Sequence, residues 1–473
     1  MTLSRNLRRR LILYGCAAAV AALVLLSPRL ATRLVPAVKV SRYDLDAVAS
    51  DEATKLLVRY LKIDTSNPPG RTREAVELWK ELFACEGLPY TVTGEDPERP
   101  IFVARLAGRR PGEALLLLHH MDVVPAGDPG KWTYPPFGAE GGKGLEAFYL
   151  YGRGVIDMKN LGIAHFLAIA SLHRLGIVPE RGLVFVAEPG EETFTPEAGI
   201  GWIVRNRPDL LEGVTDAFTE GGINEVLTTE LDRFGIETFQ KADLGLTVGA
   251  DSRELLEAFR KLLAAKDASF PTTLLPEVAE FFRFIGPARG DVWGRLVMNP
   301  KRLLGDDAFA RSAPDVYRSL LKDSLYSEEI VAGKGGGFEM NVAWTLLPGR
   351  SVQAAKGQLE AWASAGGLGV RTRFVTRDAQ FSPQEGPAWE ALVRALQLDP
   401  VQAEVGTYLL SGAYTNSNFL RAEGSRSYGV SPFAINIYDA ARAHGPNERI
   451  HMPAFLEGVE RMKRIVREFA TSP

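Results

Sequence analysis

Five side chains in this sequence are of the types that bind zinc without help from cysteine. Each stands at or just after the end of a predicted strand, and they are His120, Asp157, Glu192, Glu220 and His444. Imidazole and carboxylate ligands suit a catalytic zinc ion, or cobalt or manganese in its place. A carboxylate such as Asp157 can bridge two ions, which together activate a trapped water and polarise a carbonyl group. The residue types thus predict a two-metal hydrolytic site.

Two neighbours of these candidates could assist the chemistry. Glu191 precedes Glu192 and would point elsewhere, so it could take the proton of the water and pass it to a leaving amine. Asp122, two residues after His120, could accept a hydrogen bond from the second ring nitrogen of that histidine. His165, His173 and His451 lack a surrounding carboxylate motif, and we expect them to be structural. His119 is adjacent to a candidate ligand but is expected to point to the opposite face of its strand.

The elements that must position these residues can be located from hydrophobic patterning. Leu115–Leu118 predict a buried strand that carries His120 to its carboxyl end. A largely apolar helix follows Asp157 and ends near Leu175, and Leu183–Ala187 predict the next strand. Strands that alternate with helices favour a layered α/β catalytic domain with a mostly parallel central sheet.

The pattern changes near residue 237, which predicts an inserted domain. We expect a catalytic domain formed by residues 43–236 and 378–473, with an α+β lid formed by residues 237–377. The catalytic parts are predicted to contain helices at Tyr43–Ile63, Arg73–Glu86, 387–397 and Pro453–Ala470, and strands near 88–93 and 101–106. The lid is predicted to contain helices at Arg253–Ala264 and Val352–Ala365, a helical insert at about 276–326, and strands at Gly337–Leu347 and Val370–Val375.

The N-terminus has the composition of a membrane-targeting segment. Four arginines, at positions 5, 8, 9 and 10, precede the uncharged run from Leu11 to Leu26. As a helix this run would be about 24 Å long, short of the ~30 Å hydrocarbon core. This length is compatible with two interpretations, a cleaved signal peptide and a signal anchor. We favour an uncleaved anchor at residues 1–28. The arginines would then hold the N-terminus in the cytoplasm, which places the catalytic domain on the periplasmic, luminal or extracellular side.

Composition excludes several other classes. The net charge of −3 gives no reason to expect nucleic-acid binding. Two cysteines in 473 residues exclude a disulfide framework and a thiolate zinc cluster. We expect the partners to be a small-molecule or peptide substrate and, through the N-terminal segment, a membrane.

Several motifs in this order resemble one enzyme family. They are Thr65-Ser66-Asn67-Pro68-Pro69-Gly70, His120-Met121-Asp122-Val123-Val124-Pro125, Trp132 with Pro135-Pro136-Phe137, Tyr151-Gly152-Arg153-Gly154 with Asp157-Met158-Lys159, Gly190-Glu191-Glu192 and His444-Gly445-Pro446-Asn447-Glu448. Together they are similar to the dinuclear-zinc family of aminoacylase, carboxypeptidase S, acetylornithine deacetylase and succinyl-diaminopimelate desuccinylase. The membrane-anchored branch of carboxypeptidase S and the N-acyl-amino-acid hydrolases is the most similar in organisation.

The resemblance implies roles for the candidate residues. Glu191 would be the general base and Asp157 would bridge two zinc ions. His120 and Glu220 would hold separate ions, with Glu192 and His444 as their partners. Lids of this family often mediate dimers, so a homodimer through the lid is a further expectation.

The lid departs from the family pattern. Family lids carry a histidine that stabilises the oxyanion, but here no histidine occurs between His173 and His444. The family's arginine near the end of the lid is absent from Thr345-Leu346-Leu347-Pro348-Gly349. The usual Gly-Gly-Thr-Asp reads Ala413-Tyr414-Thr415-Asn416. Loss of one oxyanion donor can lower turnover about 10²- to 10³-fold.

These observations predict a zinc-dependent hydrolase that cleaves an amide bond of an N-acyl amino acid or the C-terminal residue of a peptide. A second hypothesis is a metal-binding pseudoenzyme that kept the site and lost turnover. A third, within the enzyme class, is that Asn436 or Tyr438 near His444 supplies the missing oxyanion donor.

Overall fold

The computed structural model describes residues 44–472, apart from 194, 223–232, 290–317, 334, 399–402 and 411–414. The helices in this part of the chain are α1 Leu45–Ser50, α2 Glu52–Leu61, α3 Arg73–Cys85, α4 Lys159–Arg174, α5 Ile200–Asn206, α6 Arg253–Ser269, α7 Pro276–Arg289, α8 Val352–Ala365, α9 Pro387–Gln397, α10 Asn416–Ala422, α11 Ile437–Ala440 and α12 Met452–Thr471. The strands are β1 Tyr90–Thr93, β2 Ile101–Leu106, β3 Arg110–His120, β4 Glu140–Gly141, β5 Tyr149–Tyr151, β6 Arg181–Glu188, β7 Val214–Thr219, β8 Arg233–Gln240, β9 Ala242–Ala250, β10 Ser324–Ser327, β11 Val331–Ala332, β12 Phe338–Leu346, β13 Gly369–Val375, β14 Glu404–Leu410, β15 Arg426–Gly429 and β16 Arg449–His451.

The catalytic domain is built on an eight-stranded sheet in the order β1-β2-β6-β3-β7-β15-β8-β14. Strands β6, β3, β7 and β15 are parallel to one another. The edge pairs β1–β2 and β2–β6 are antiparallel, and so is β15–β8. The α/β class is confirmed, but the sheet is mixed rather than mostly parallel, because antiparallel strands flank the parallel centre on both sides.

The central strands are buried on both faces, which explains their continuous apolar runs. Leu115 and Leu117 pack on one face in a cluster with residues of α3, α4 and α12. Leu116 and Leu118 pack on the other face in a cluster with residues of α5 and α10. Because successive side chains of a strand point to opposite faces, one four-leucine run contributes to two separate cores.

Helix bounds follow the predictions closely where capping signals are strong. Helix α8 has the predicted bounds, and Ser351 caps it by accepting a hydrogen bond from the backbone N–H of Ala354. The single helix predicted over Tyr43–Ile63 is instead divided into α1 and α2. Asp51 is the reason, because its backbone is extended and its carboxylate accepts from the N–H of Ala53 at 2.8 Å, which begins a new helix.

The lid is a second sheet in the order β10-β12-β9-β13, with β11 paired to β12. Its core includes Trp344, which stacks between Phe270 and Trp362 at ring-centroid distances of 5.3 and 5.4 Å. The insert predicted to be helical over about 276–326 begins with α7, but its end is wrong, because Ser324–Ser327 form strand β10 and pair with β12. Residues 290–317 of the insert lie outside the described residues.

The two crossings between the domains lie side by side. The chain leaves the first sheet at the end of β8 and enters the second at β9, and it returns after β13. At the crossing, the N–H of Thr376 donates to the carbonyl of Asp243 at 2.9 Å, and the N–H of Asp243 donates to Oγ1 of Thr376 at 2.8 Å. Strand β8 pairs with β14 along its whole length, so the sheet changes at residue 241 rather than within β8.

The predicted anchor at residues 1–28 lies outside the described residues. Among residues that the structure does describe, no helix has the length and apolar character needed to cross a bilayer.

Candidate metal centre

Four of the predicted site residues meet because their strands are neighbours. Strand β3 ends at His120 and pairs in parallel with both β6 and β7. Glu191 and Glu192 follow β6, and Glu220 directly follows β7. The carboxyl ends of adjacent parallel strands meet at one edge of a sheet, which is where α/β enzymes place their chemistry.

Two groups of potential metal ligands form at this edge. The first, called the sheet trio here, consists of His120, Asp157 and Glu220. His120 Nε2 lies 3.2 Å from Asp157 Oδ1 and 3.3 Å from Glu220 Oε1. The histidine side chain is 1% exposed, so its position is set by the surrounding strands.

The second group, called the loop trio, consists of Asp157, Glu192 and His444. His444 Nε2 lies 2.9 Å from Asp157 Oδ2 and 3.3 Å from Glu192 Oε2. The His444 side chain is 56% exposed, and its backbone φ of 63° lies in the left-handed region. Asp157 belongs to both trios and faces one histidine with each carboxylate oxygen.

This grouping corrects one prediction. His120 and Glu220, which the family resemblance assigned to separate ions, stand in the same trio, and Glu192 and His444 form the other pair. The reason is the strand order, since β3 and β7 are adjacent and bring His120 and Glu220 together.

Asp122 acts on His120 differently from the prediction. His120 Nδ1 lies 2.8 Å from the backbone carbonyl of Asp122, whereas the Asp122 carboxylate oxygen Oδ1 is 3.7 Å away. The other oxygen, Oδ2, accepts hydrogen bonds from Nδ2 of Asn67 at 2.7 Å and from the N–H of Glu192 at 3.2 Å. The carboxylate therefore holds the turn that carries Glu191 and Glu192, while the backbone orients the imidazole.

Electrostatics at this edge reflect crowded carboxylates. Burial raises the pKa of Glu220 to about 7, and burial also raises the pKa of Glu192. Hydrogen bonds to Asp157 and Glu192 raise the pKa of His444 to about 10. Burial opposes a charge on His120, but Glu220 and Asp157 raise its pKa well above its ordinary value. So much negative charge in a buried space favours a bound cation.

Glu191 stands beside both trios without belonging to either. It is 7% exposed, and its Oε2 lies 3.9 Å from His120 Nε2. Within the described part of the chain its Oε1 is buried and makes no hydrogen bond. Burial, followed by the charge of Glu220, raises the pKa of Glu191 well above its usual range. A carboxylate with one unengaged oxygen at this place is available to a proton on a substrate or a water.

A buried carboxylate that sequence reasoning did not single out holds the segment that carries Asp157. Glu448 is 0% exposed, and its Oε2 accepts from Arg153 Nη1 at 2.7 Å and from the N–H of Gly154 at 3.0 Å. Its Oε1 accepts from the N–H groups of Ile156 at 2.8 Å and Asp157 at 3.3 Å. Glu448 and Arg153 occur within the quoted motifs, but no spacing rule indicates that residues so far apart in sequence are in contact.

Two other contacts at the site were also missed. Asn67, in the predicted turn before α3, supports Asp122 as described above. Asn416, at the position where the family pattern has a carboxylate, donates from its side-chain amide to the buried carboxylate of Glu188. The N–H of Ile200 donates to the other oxygen of Glu188, whose pKa burial raises to about 8. A carboxylate is thus present in this place, but it comes from β6.

The histidine that precedes His120 points to the opposite face of β3. His119 is fully buried among aromatic rings, with centroids 5.0 Å from Trp79 and 5.1 Å from Phe185, and its Nε2 lies 3.4 Å from the hydroxyl of Tyr60. Burial lowers the pKa of His119 well below its usual value. His165 on α4 is likewise fully buried, and burial lowers its pKa to about 3. Both belong to the core.

The groups suggested as replacement oxyanion donors have different surroundings. Asn436 Nδ2 donates to Asp439 Oδ2 at 2.5 Å, so this amide is already engaged. Tyr438 is 74% exposed. Thr345, at the position of the missing lid arginine, lies in β12 of the lid sheet and donates to Asp243 at 2.6 Å.

A model of peptidase family M20/M25/M40 matches residues 116–468. The match includes the sheet edge, the lid and the return to the catalytic domain, so the protein is a metal-dependent hydrolase. It belongs to peptidase family M20/M25/M40, which confirms the predicted resemblance at the level of the family. The likeness to its membrane-anchored branch stays a prediction.

Individual relatives agree with this assignment. The chain is 25% identical to aminoacylase-1 of Homo sapiens over 429 residues, covering 88% of this chain and 95% of the human protein. It is 40% identical over 196 residues to succinyl-diaminopimelate desuccinylase 2 of Ruegeria sp. (strain TM1040), covering 37% of this chain and 45% of that protein. These names support the predicted aminoacylase and desuccinylase likeness.

Solved structures show the same fold. An M20 family metallo-carboxypeptidase from Sulfolobus solfataricus superposes with a TM-score of 0.68 at 16% identity, covering 89% of this chain and 99% of that one. Human carnosine dipeptidase 1 gives a TM-score of 0.67 at 15% identity, covering 90% of this chain and 98% of that one.

Proposed function

We propose that this protein is a two-metal amidohydrolase that cleaves the amide bond of an N-acyl amino acid or releases the C-terminal residue of a peptide. The observation that carries the proposal is the pair of trios sharing Asp157, with Glu191 unengaged beside them. Membership of the family, and the likeness to an aminoacylase and to carboxypeptidase and dipeptidase structures, support the same class of bond.

The donor set fits two divalent ions of the zinc type. His120 and Glu220 would hold one, Glu192 and His444 the other, and Asp157 would lie between them. Imidazole with carboxylate and no thiolate is the ligand combination of catalytic zinc, with cobalt or manganese as substitutes. Two such ions supply a water of lowered pKa and polarise the scissile carbonyl.

The remaining chemistry is assigned to the chain's own groups. Glu191 accepts the proton of the attacking water at its unengaged oxygen and delivers that proton to the leaving amine. The backbone carbonyl of Asp122 keeps Nδ1 of His120 protonated, so that Nε2 is free to act as a ligand. The Asp122 carboxylate holds the turn bearing Glu191 in place through the N–H of Glu192.

The altered lid supports a second candidate. With no histidine between His173 and His444 and with Thr345 bonded to Asp243 in place of the family's arginine, a metal-binding protein without turnover would account for the same site. Retention of Glu191 favours the enzyme, because binding alone has no need of a base.

We also propose, from the N-terminal segment alone, that the protein is anchored with its catalytic domain on the non-cytoplasmic side.

The test compares wild type with Glu191→Gln, each freed of metal and reloaded with zinc or cobalt. Release of free amine is measured on a panel of N-acyl amino acids and dipeptides. We expect metal-dependent release by wild type, and a loss of about 10²- to 10⁴-fold in the variant, which keeps the shape of the side chain but cannot take a proton. Both proteins should bind two ions per chain.

Other outcomes would decide against the proposal. Equal turnover by wild type and Glu191→Gln would remove the base from its role. Two tightly bound ions with no amine release from any member of the panel would favour the metal-binding protein.

A further inference from the structure

The two trios are supported by different kinds of structure. In the sheet trio, His120 ends β3 and Glu220 follows β7, and these strands pair in the middle of the eight-stranded sheet. In the loop trio, His444 lies in the segment between α11 and β16, and its side chain is more than half exposed. The sheet thus holds one imidazole, while the other needs a different support.

Glu448 provides that support through a single side chain. It is four residues from His444 and is part of the same segment. Its carboxylate accepts four hydrogen bonds from the segment 153–157, including one from the N–H of Asp157 itself. The carbonyl of Glu448 also accepts from the N–H of Gly152 at 3.1 Å. One buried residue therefore connects the backbone that carries Asp157 to the backbone that carries His444.

The contact involves the shared ligand and one trio only. Asp157 Oδ2 faces His444 at 2.9 Å, and this distance depends on how the two segments are joined. Strand β16 pairs with β5 on the same side, and Asn447 accepts from the N–H of Thr133 at 2.7 Å, but neither contact reaches Asp157. His120 and Glu220 make no contact with Glu448 among the described hydrogen bonds and ion pairs.

We infer that Glu448 is the positioning residue of the loop trio, and that the two metal sites of the proposed enzyme bind their ions with unequal strength, the loop trio being the weaker. The inference rests on the proposed function only in taking the trios as metal sites. It does not require turnover, because its first readout is metal binding.

The experiment is a titration of the metal-free protein with Co²⁺, followed by calorimetry and by the visible absorption of bound cobalt. Wild type should bind two ions in two steps of different affinity, and His444→Ala should remove the weaker step. In Glu448→Gln the stronger step should be kept and the weaker step should lose about 10- to 100-fold in affinity, the usual effect of losing support behind a ligand.

A matched control is available in the same domain. Glu237 is another fully buried glutamate, paired with Arg421 at 2.7 and 2.8 Å and bonded to the N–H of Gly429 at 3.1 Å. Glu237→Gln breaks a comparable buried ion pair that makes no described hydrogen bond to a member of either trio. It should lower thermal stability as Glu448→Gln does, while both cobalt steps remain as in wild type.

A second variant, Glu448→Asp, keeps the inference testable if Glu448→Gln does not fold. It keeps a carboxylate for Arg153, but it is one methylene too short to reach all four donors. We expect this variant to fold and to show the same selective loss of the weaker step. Turnover of wild type is recorded separately, so that a protein with unequal steps and no hydrolysis would contradict the proposed function and leave this inference standing.

Three results would overturn the inference. They are two equal steps in wild type, retention of both steps in folded Glu448→Asp or Glu448→Gln, and a loss of the weaker step in Glu237→Gln as large as in the Glu448 variants. The last result would mean that any buried ion pair has this effect.

Discussion

His119 and His120 are consecutive residues of one strand, and they lie in two different regions of the molecule. His119 faces the aromatic core, where burial lowers its pKa. His120 faces the sheet edge, where Glu220 and Asp157 raise its pKa in spite of burial. Both side chains are excluded from water, so burial alone does not distinguish a core histidine from a candidate ligand. The charges that surround the ring distinguish them.

The largest expected effect comes from exchanging the two histidines for the same apolar residue. His120→Leu removes the imidazole of the sheet trio, and we expect it to lose the stronger metal step and all measurable amine release. His119→Leu should keep both metal steps and turnover, while stability falls by roughly 1–2 kcal/mol because the hydroxyl of Tyr60 loses its neighbour.

Metal titration and thermal melting of the two variants provide the measurement. The comparison fails if His119→Leu, in a folded protein, loses metal to the same extent as His120→Leu. In that case the two faces of β3 would not be separate in function.

A smaller effect should be seen in the pH dependence of stability. His165 has a pKa of about 3 in the folded protein, against about 6.5 in an unfolded chain. Between these values the unfolded state binds more protons, so stability falls as the pH is lowered from 6.5 toward 3. At pH 5 the cost is about 2 kcal/mol relative to neutral pH.

His165→Leu should remove this part of the acid sensitivity. Denaturant unfolding of wild type and variant at pH 7.5 and pH 5 gives the difference, in which contributions from other groups cancel. The same loss on acidification in both proteins would show that His165 does not remain neutral in the core.

The smallest effect is expected at His451, which is neither fully buried in the core, as His119 is, nor a member of a trio, as His120 is. Burial lowers its pKa, and its ring packs against Tyr149 at a centroid distance of 5.3 Å, but it is not part of either trio. His451→Gln should retain both metal steps and shift the melting temperature by only a few degrees. A variant that lost a metal step would place His451 in the site after all.

Local signals predicted those parts of the fold that depend on local interactions. The run Leu115–Leu118 indicated β3, and the pattern of Val352–Ala365 gave the bounds of α8. The split at Asp51 could be recognised only from the extended backbone of that residue. Strands β14 and β15 were missed, because short parallel strands acquire their partners from distant parts of the chain.

In the candidate site, too, local sequence predicted the residue types but not the contacts between distant parts of the chain. Residue types located the five potential ligands, which the structure brings within 4.8 Å in two groups. The expectation that each stands at or just after the end of a strand holds for His120 and Glu220, whereas Asp157 precedes α4 and His444 precedes β16.

The predicted grouping of these ligands was wrong because it depends on the order of β6, β3 and β7, and no local pattern encodes strand order. The contact of Glu448 with 153–157 was missed for the same reason. The roles of the site residues stay predictions until metal and turnover are measured.

The paired crossings at Asp243 and Thr376 have a consequence for how this chain could have been assembled. Three hydrogen bonds between Asp243 and Thr376 join the start and the end of the inserted domain. An insertion whose ends meet leaves the host sheet unbroken, since β8 and β14 pair with each other on one side of the crossing. The lid is therefore an insertion whose sequence can change without moving the sheet that hosts it. The histidine and the arginine of the family's lid pattern can be lost while strands β3, β6 and β7 keep their places.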